Sequence, residues 1–177
     1  MLKLQGKHIY LATLEREDCK KIWNDFEYDH DNPTEPLNIG HSVEKADEWF
    51  NEIQKLQGGK NIRLGIFLND GCVIGDVALQ DIDYKHRSCS IGLGIAKNEN
   101  RGKGFGTEAV KLILEYGLDH IGLERFTANT LEINTPAQKS LEKLCFILEG
   151  RERNAYYFGD KKFDRLNYSL LADEYKR

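Results

Sequence analysis

The sequence is poor in several things at once. Its 177 residues include three prolines, one methionine and four cysteines. So little proline, with 40% apolar and 31% charged residues, excludes a disordered or low-complexity chain and leaves an ordinary globular one. The cysteines, Cys19, Cys72, Cys89 and Cys145, are widely spaced and form no C-x-x-C pair, so they read as small core residues of a reduced protein. A basic surplus is missing too. Lys+Arg number 25 against 29 Asp+Glu, a formal charge of −4, which argues against a nucleic-acid or anionic-membrane partner. No apolar run approaches the ~18 residues of a membrane span. Met1 is followed by Leu2-Lys3-Leu4-Gln5-Gly6-Lys7 with no apolar stretch of a secretory signal. The expectation is one cytoplasmic domain over 1–177, large enough to fold with neither disulfide nor structural metal.

What is present has a readable order. His8 to Leu14 reads as a strand, and Glu15-Arg16-Glu17-Asp18 puts acids where a helix start favours them. Ile22, Trp23 and Phe26 continue that helix at helical spacing. A loop follows to Gly40, then a second amphipathic helix carrying Ala46, Trp49, Phe50, Ile53 and Leu56, with Ser42 as its expected N-cap. The period then changes. Ile62–Leu68, Cys72–Leu79 and Ser88–Ala96 form an antiparallel meander, its first turn at Asn69-Asp70-Gly71. After a glycine-rich loop come a helix to about His120, a strand over Arg125–Leu131, a short helix over Asn134–Leu144, and two strands from Phe146 and Phe163. The order β-α-α-β-β-β-α-β-α-β-β predicts a mixed α/β layer structure.

The informative segment is Arg101-Gly102-Lys103-Gly104-Phe105-Gly106-Thr107, between a strand and a helix. Alternate glycines let backbone approach a ligand closely. Orphan N–H groups at the helix start suit a pyrophosphate, and Arg101 and Lys103 add positive charge. The spacing is neither a Walker loop nor G-x-G-x-x-G, and an antiparallel meander does not fit a dinucleotide-binding βαβ unit. A helix-capping loop with no ligand, or a nucleotide site, stays open on spacing alone.

Arg101-x-x-Gly104-x-Gly106 in this context resembles the acetyl-CoA signature of the GCN5-related N-acetyltransferases (GNAT). Ile9-Tyr10-Leu11, Leu14 to Asp18, Ile91-Gly92-Leu93-Gly94-Ile95, Gly104 to Ala109, Asn134, Leu141 to Leu144, Phe146 and Glu149-Gly150 extend the likeness over nearly the whole chain. It is strongest to the branch acting on ribosomal-protein N-termini and polyamines. The resemblance implies a twisted, mostly antiparallel central sheet flanked by about four helices. It also implies acetyl-CoA as co-substrate, no metal, and an amine acceptor, with a homodimer left open. Main-chain groups of Leu93, Gly94 and Ile95 would pair with the pantetheine arm and hold the thioester. N–H groups of Arg101, Gly102, Lys103, Gly104, Phe105, Gly106 and Thr107 would cradle the pyrophosphate. Asn134 would bond the pantetheine, although Asn is also a favoured helix cap.

The sequence also departs from the family pattern. Many relatives carry, seven residues after the Asn, a Tyr that protonates the leaving thiolate; here the residue is Leu141. Ser140 points roughly 120° away from Asn134 on a helix and so reads as a solvent-side or packing residue. The usual Gly before Phe146 is Cys145, and the Glu typical of polyamine-acetylating relatives is Ser90, which weakens the polyamine reading. The sequence names no general acid or base: Tyr156 or Tyr157 is the candidate hydroxyl, and an acid-independent route in which waters carry the proton fits as well. Between Asp25 and Glu52 stand nine acids (Asp25, Glu27, Asp29, Asp31, Glu35, Glu44, Asp47, Glu48, Glu52) and one base, Lys45. In the family this stretch walls the acceptor groove, so a cationic acceptor is expected, as a peptide N-terminus, a polyamine or an aminoglycoside. The competing reading is a CoA-binding regulatory module without catalysis.

Overall fold

The computed structural model describes residues 2–28 and 40–176. One eight-stranded sheet runs in the order β1-β2-β3-β4-β5-β6-β8-β7. Its strands are β1 (Lys3–Gln5), β2 (Ile9–Ala12), β3 (Ile62–Leu68), β4 (Val73–Asp83), β5 (Ser88–Ile95), β6 (Arg125–Leu131), β7 (Ile147–Phe158) and β8 (Lys161–Leu171). Every neighbouring pair is antiparallel except β5 with β6. The short strand β1 was not anticipated. Its three residues are too few to set a readable period, and pairing with β2 (Leu4 opposite Leu11) makes it a strand.

Four longer helices among the described residues cover the sheet: α1 (Arg16–Asp25), α2 (Lys45–Leu56), α3 (Phe105–Tyr116) and α4 (Thr135–Lys143). In α1, Glu15 N–H donates to Asp18 Oδ2 at 2.9 Å, and Cys19 and Ile22 bury one turn apart. Those two pack with Leu14, Ile53, Phe67, Val73 and Ala96 in a core on one face of the sheet. Ser42 does not cap α2. Its carbonyl accepts from Lys45 N–H at 3.1 Å in a preceding turn, and the helix begins two residues beyond the expected start.

The opposite face carries the larger core, where Ala109, Val110, Ile113 and Leu114 of α3 form one stripe against β2, β4 and β5. A Cβ at Gly117 would lie 2.9 Å from the Phe126 ring, so that glycine lets the end of α3 approach β6. α4 ends in a Schellman turn. Cys145 N–H bonds Glu142 C=O and Phe146 N–H bonds Leu141 C=O, each at 3.0 Å, while buried Leu141 and Phe146 supply the apolar contact of that motif. Cys145 occupies the left-handed position with φ 68°, so the turn keeps the shape a glycine would give it.

Candidate active site

The parallel ladder between β5 and β6 is short, pairing Ser88–Ser90 with Arg125–Thr127 and stopping there. β5 continues to Ile95 along β4, and β6 continues to Leu131 along β8, so the two strands diverge. The gap between them is a cavity of about 360 Å³. Ile91 and Leu93 line it from β5, Ala128 to Leu131 from β6, Val110 from α3, Asn134, Ala137, Ser140 and Leu141 from α4, and Tyr156 from β7.

The glycine loop forms one end of this arrangement. Gly102 and Gly104 both have positive φ, 72° and 87°, and a Cβ at either would meet nothing within 4 Å. Only glycine holds that backbone cheaply, and the space above it is open to a ligand. Gly104 starts α3, and the first turn-closing bond runs from Glu108 N–H to Gly104 C=O at 3.0 Å. The N–H groups of Phe105, Gly106 and Thr107 therefore precede the helical ladder and project from its positive end. At Gly106 a Cβ would come within 3.0 Å of Leu93 Cδ2, so this glycine seats the helix start against β5. A diphosphate and an extended chain fit the loop and the gap respectively.

Arg101 has a different place from the rest of the loop. Its guanidinium donates to Ile95 C=O at 2.9 and 3.1 Å, to Ala96 C=O at 3.3 Å, to Glu27 C=O at 3.1 Å and to Asn98 Oδ1 at 2.7 Å. Its own N–H donates to Asn98 C=O at 3.0 Å. Arg101 thus ties the loop to the end of β5 and to the end of α1, and it occupies the Ile95 carbonyl. Lys103 is exposed on the loop. Spacing alone could not reveal this use of Arg101, because its partners lie on three separate segments.

Asn134 is the helix cap its residue type suggested. Its Oδ1 accepts from Ala137 N–H at 3.1 Å as the cap of α4, and the residue lines the cavity. The two tyrosines separate: Tyr156 faces the gap, whereas Tyr157 is 67% exposed and lies under Lys162 at 5.5 Å. Alternation along β7 puts neighbouring side chains on opposite faces. Ser140 differs from its helical-wheel reading. Its hydroxyl is hydrogen-bonded to Thr107 Oγ1 at 2.7 Å and it lines the cavity together with Leu141. The wheel fixes direction relative to α4 alone, and the approach of α3 turns the Ser140 side into the site. The buried thiols are poor nucleophiles: burial, aided at Cys19 by the Asp76 carboxylate, pushes Cys19 and Cys89 up to about 12.

Across the sheet, α1 and α2 enclose a second cavity of about 280 Å³ lined by Ile22, Trp23, Phe26, Trp49, Lys45, Glu48 and Glu52. The end of α1 reaches the candidate site, since Glu27 N–H donates to Ala96 C=O at 2.9 Å and Tyr28 stacks on Phe158 of β7 at 5.9 Å. The acidity of this wall is partly compensated in space. Asp25 pairs with Lys21 and Lys97, Asp47 with Arg16 and Lys20, and Glu48 with Lys45. Most of those bases lie outside the acidic stretch of sequence. Asp29, Asp31 and Glu35 fall outside the described residues.

A glycine loop between a meander strand and a helix start is the arrangement the sequence resemblance leads one to expect. The profile of the acetyltransferase (GNAT) domain matches residues 8–147. The chain belongs to the GNAT acetyltransferase family. It is similar to the uncharacterized N-acetyltransferase p20 of Bacillus licheniformis, 29% identical over 99% of both chains. Among solved structures it is similar to the ribosomal-protein-S5-alanine acetyltransferase from Vibrio fischeri, with a TM-score of 0.84 and 21% identity over 100% of both chains. The spermidine N-acetyltransferase from Vibrio cholerae, solved in complex with CoA and spermine, gives 0.77 and 23% over 96% of this chain and 99% of that one. This GNAT chain is therefore an N-acetyltransferase with the family's fold. No helix among the described residues is long and apolar enough to cross a membrane.

Proposed function

We propose that this enzyme transfers acetyl from acetyl-CoA directly to the primary amine of a cationic acceptor. The observation that carries the reading is the gap between β5 and β6, lined by Ile91 and Leu93 and met by the start of α3 where Gly106 lies against Leu93 and Thr107 bonds Ser140. Main-chain groups of Leu93 and Gly94 would pair with the pantetheine arm as a missing strand. Those of Ile95 contribute less, because its carbonyl is held by Arg101. The N–H groups of Phe105 to Thr107 and the open backbone of Gly102 to Gly104 would take the pyrophosphate, with Lys103 adding charge and Arg101 shaping the loop. Asn134 would contribute its amide nitrogen, since Oδ1 caps α4.

Acetyl transfer needs a neutral amine and a proton for the departing thiolate. Leu141 can donate none, and Tyr156 is the cavity-facing candidate for that proton. Substituting Tyr156→Phe should lower kcat by at least tenfold while Tyr157→Phe leaves it unchanged. Ser140→Ala, measured beside them, tests the hydroxyl pair with Thr107 as the other source. The acceptor reading rests on the α1–α2 wall, where Trp23, Phe26 and Trp49 with Glu52 suit an organic ammonium, Glu48 being paired with Lys45. A peptide N-terminus is favoured over a polyamine by Ser90, which stands where polyamine-acetylating relatives carry Glu. A homodimer would be sought at the open edge of β7, where Ile147 is 53% and Leu148 50% exposed.

Release of free CoA thiol from acetyl-CoA, measured over peptides with free N-termini, spermidine and aminoglycosides, tests the reading directly. Turnover with at least one amine is expected, together with greater thermal stabilisation by CoA than by ATP or NAD. CoA binding without turnover on any amine would support the regulatory-module reading, and stronger stabilisation by a nucleotide would overturn the loop assignment.

A further inference from the structure

Two glycines of β5 make room for polar side chains of β4 on the face covered by α1 and α2. At Gly92 a Cβ would lie 2.7 Å from Gln80 Oε1, and at Gly94 it would lie 3.3 Å from Asp76 Oδ1. Asp76 stands directly opposite Gly94 in the register. Among the described residues it is the one charged side chain that is buried, 4% exposed, and it is bonded to Arg63 of β3. Gly94 itself is only partly covered and borders the gap between β5 and β6. The carboxylate therefore lies over Gly94, with no side chain of that residue between it and the strand.

We propose that Asp76, held by Arg63, takes up the proton that the acceptor ammonium must shed, reaching it across Gly94. This rests on the acetyl-transfer reading above. The ammonium R–NH3⁺ gives one proton to the Asp76 carboxylate, which becomes the acid and later releases it to solvent. The neutral nitrogen then forms its bond to the acetyl carbon as the carbon–sulfur bond breaks. The second nitrogen proton is lost as the thiolate gains one, leaving amide and thiol. Burial pushes the Asp76 carboxyl above its ordinary range, against the opposing pull of the Arg63 guanidinium. A raised proton affinity suits a group that must accept one near neutrality. The other titratable group facing this pair is Cys19 of α1, with Arg16 and Asp18 acting on it from the same helix.

The test is the pH profile of kcat/KM for the most active amine. Asp76→Asn should cost roughly 100-fold at pH 7. Its kcat/KM should then rise tenfold per pH unit as the amine itself ionises, so that the deficit shrinks at high pH. CoA should stabilise this variant as it does the parent. Should Asp76→Asn fail to fold, two others carry the test. Arg63→Gln removes the cation that favours the carboxylate and should move the acid limb to higher pH. Gly94→Ala inserts a methyl group at 3.3 Å from Oδ1 and should reproduce a low-pH deficit with Asp76 intact. An Asp76→Asn or Arg63→Gln profile parallel to the parent's would overturn the assignment alone. Absence of acetyl transfer by the unsubstituted protein would overturn the acceptor reading along with it.

Discussion

Cys145 stands in a left-handed turn where the family pattern has glycine, and the structure retains the turn. A non-glycine residue there costs ~1–2 kcal/mol, while glycine costs ~0.5–1 kcal/mol more in chain entropy elsewhere. Cys145→Gly should therefore stabilise by about 0.5–1 kcal/mol, seen as a rise of roughly 1–4 °C in Tm by calorimetry. A fall in Tm would show that the side chain's packing on the larger core outweighs the strain. At this scale the sequence was only partly legible. The backbone turns at Gly102 and Gly104 follow from residue type, because glycine adopts positive φ at least cost. The roles of Arg101 and Ser140 do not, because each depends on a partner that only tertiary packing supplies, Ile95 for one and Thr107 for the other.

Helix α3 is anchored at its first turn by Glu108. That carboxylate accepts from Lys7 N–H at 2.5 Å, His8 N–H at 2.9 Å and, at 3.0 Å, lies against His8 Nδ1. Burial alone would raise its pKa, but the hydrogen bonds from His8, Lys7 and Ile9 outweigh it and hold it below the ordinary range. The folded state thus keeps the carboxylate charged at a lower pH than the unfolded chain does. Its stabilisation is complete above the ordinary value of 4.5 and is lost as pH falls through the lowered one. Glu108→Gln should lower Tm at pH 7 and flatten the decline of Tm below about pH 4.5, both readable by thermal melts across pH. Equal losses at every pH would show that only packing was disturbed. Elements of strong period were legible in advance: β6 spans the expected Arg125–Leu131, and α4 lies between its expected ends, Asn134 and Leu144. The start of α2 was not, because a backbone turn at Ser42 replaces the side-chain cap that the residue type suggested.

For the whole molecule, charge counted along the chain and charge arranged in space tell different stories. The stretch from Asp25 to Glu52 is strongly acidic as text, yet Arg16, Lys20, Lys21 and Lys97 fold against it. Exposed pairs of this kind contribute little stability, but they offset in space part of the acidity counted along the chain. Topology was legible as a class, from the meander and the helix-bearing crossovers. The divergence of β5 from β6 was not, since both strands read as ordinary apolar runs and only the register shows where pairing stops.

That divergence leaves the sheet open between β5 and β6 beyond their short ladder. Three paired residues and helix packing hold its two halves together on that side, so any extended molecule lodged in the gap acts as a strand of the fold. Occupancy and rigidity then rise and fall together: the amide hydrogen of Leu93, which turns away from β4, should exchange slowly only while the guest is bound, and the protein's melting point will track the supply of its own substrate.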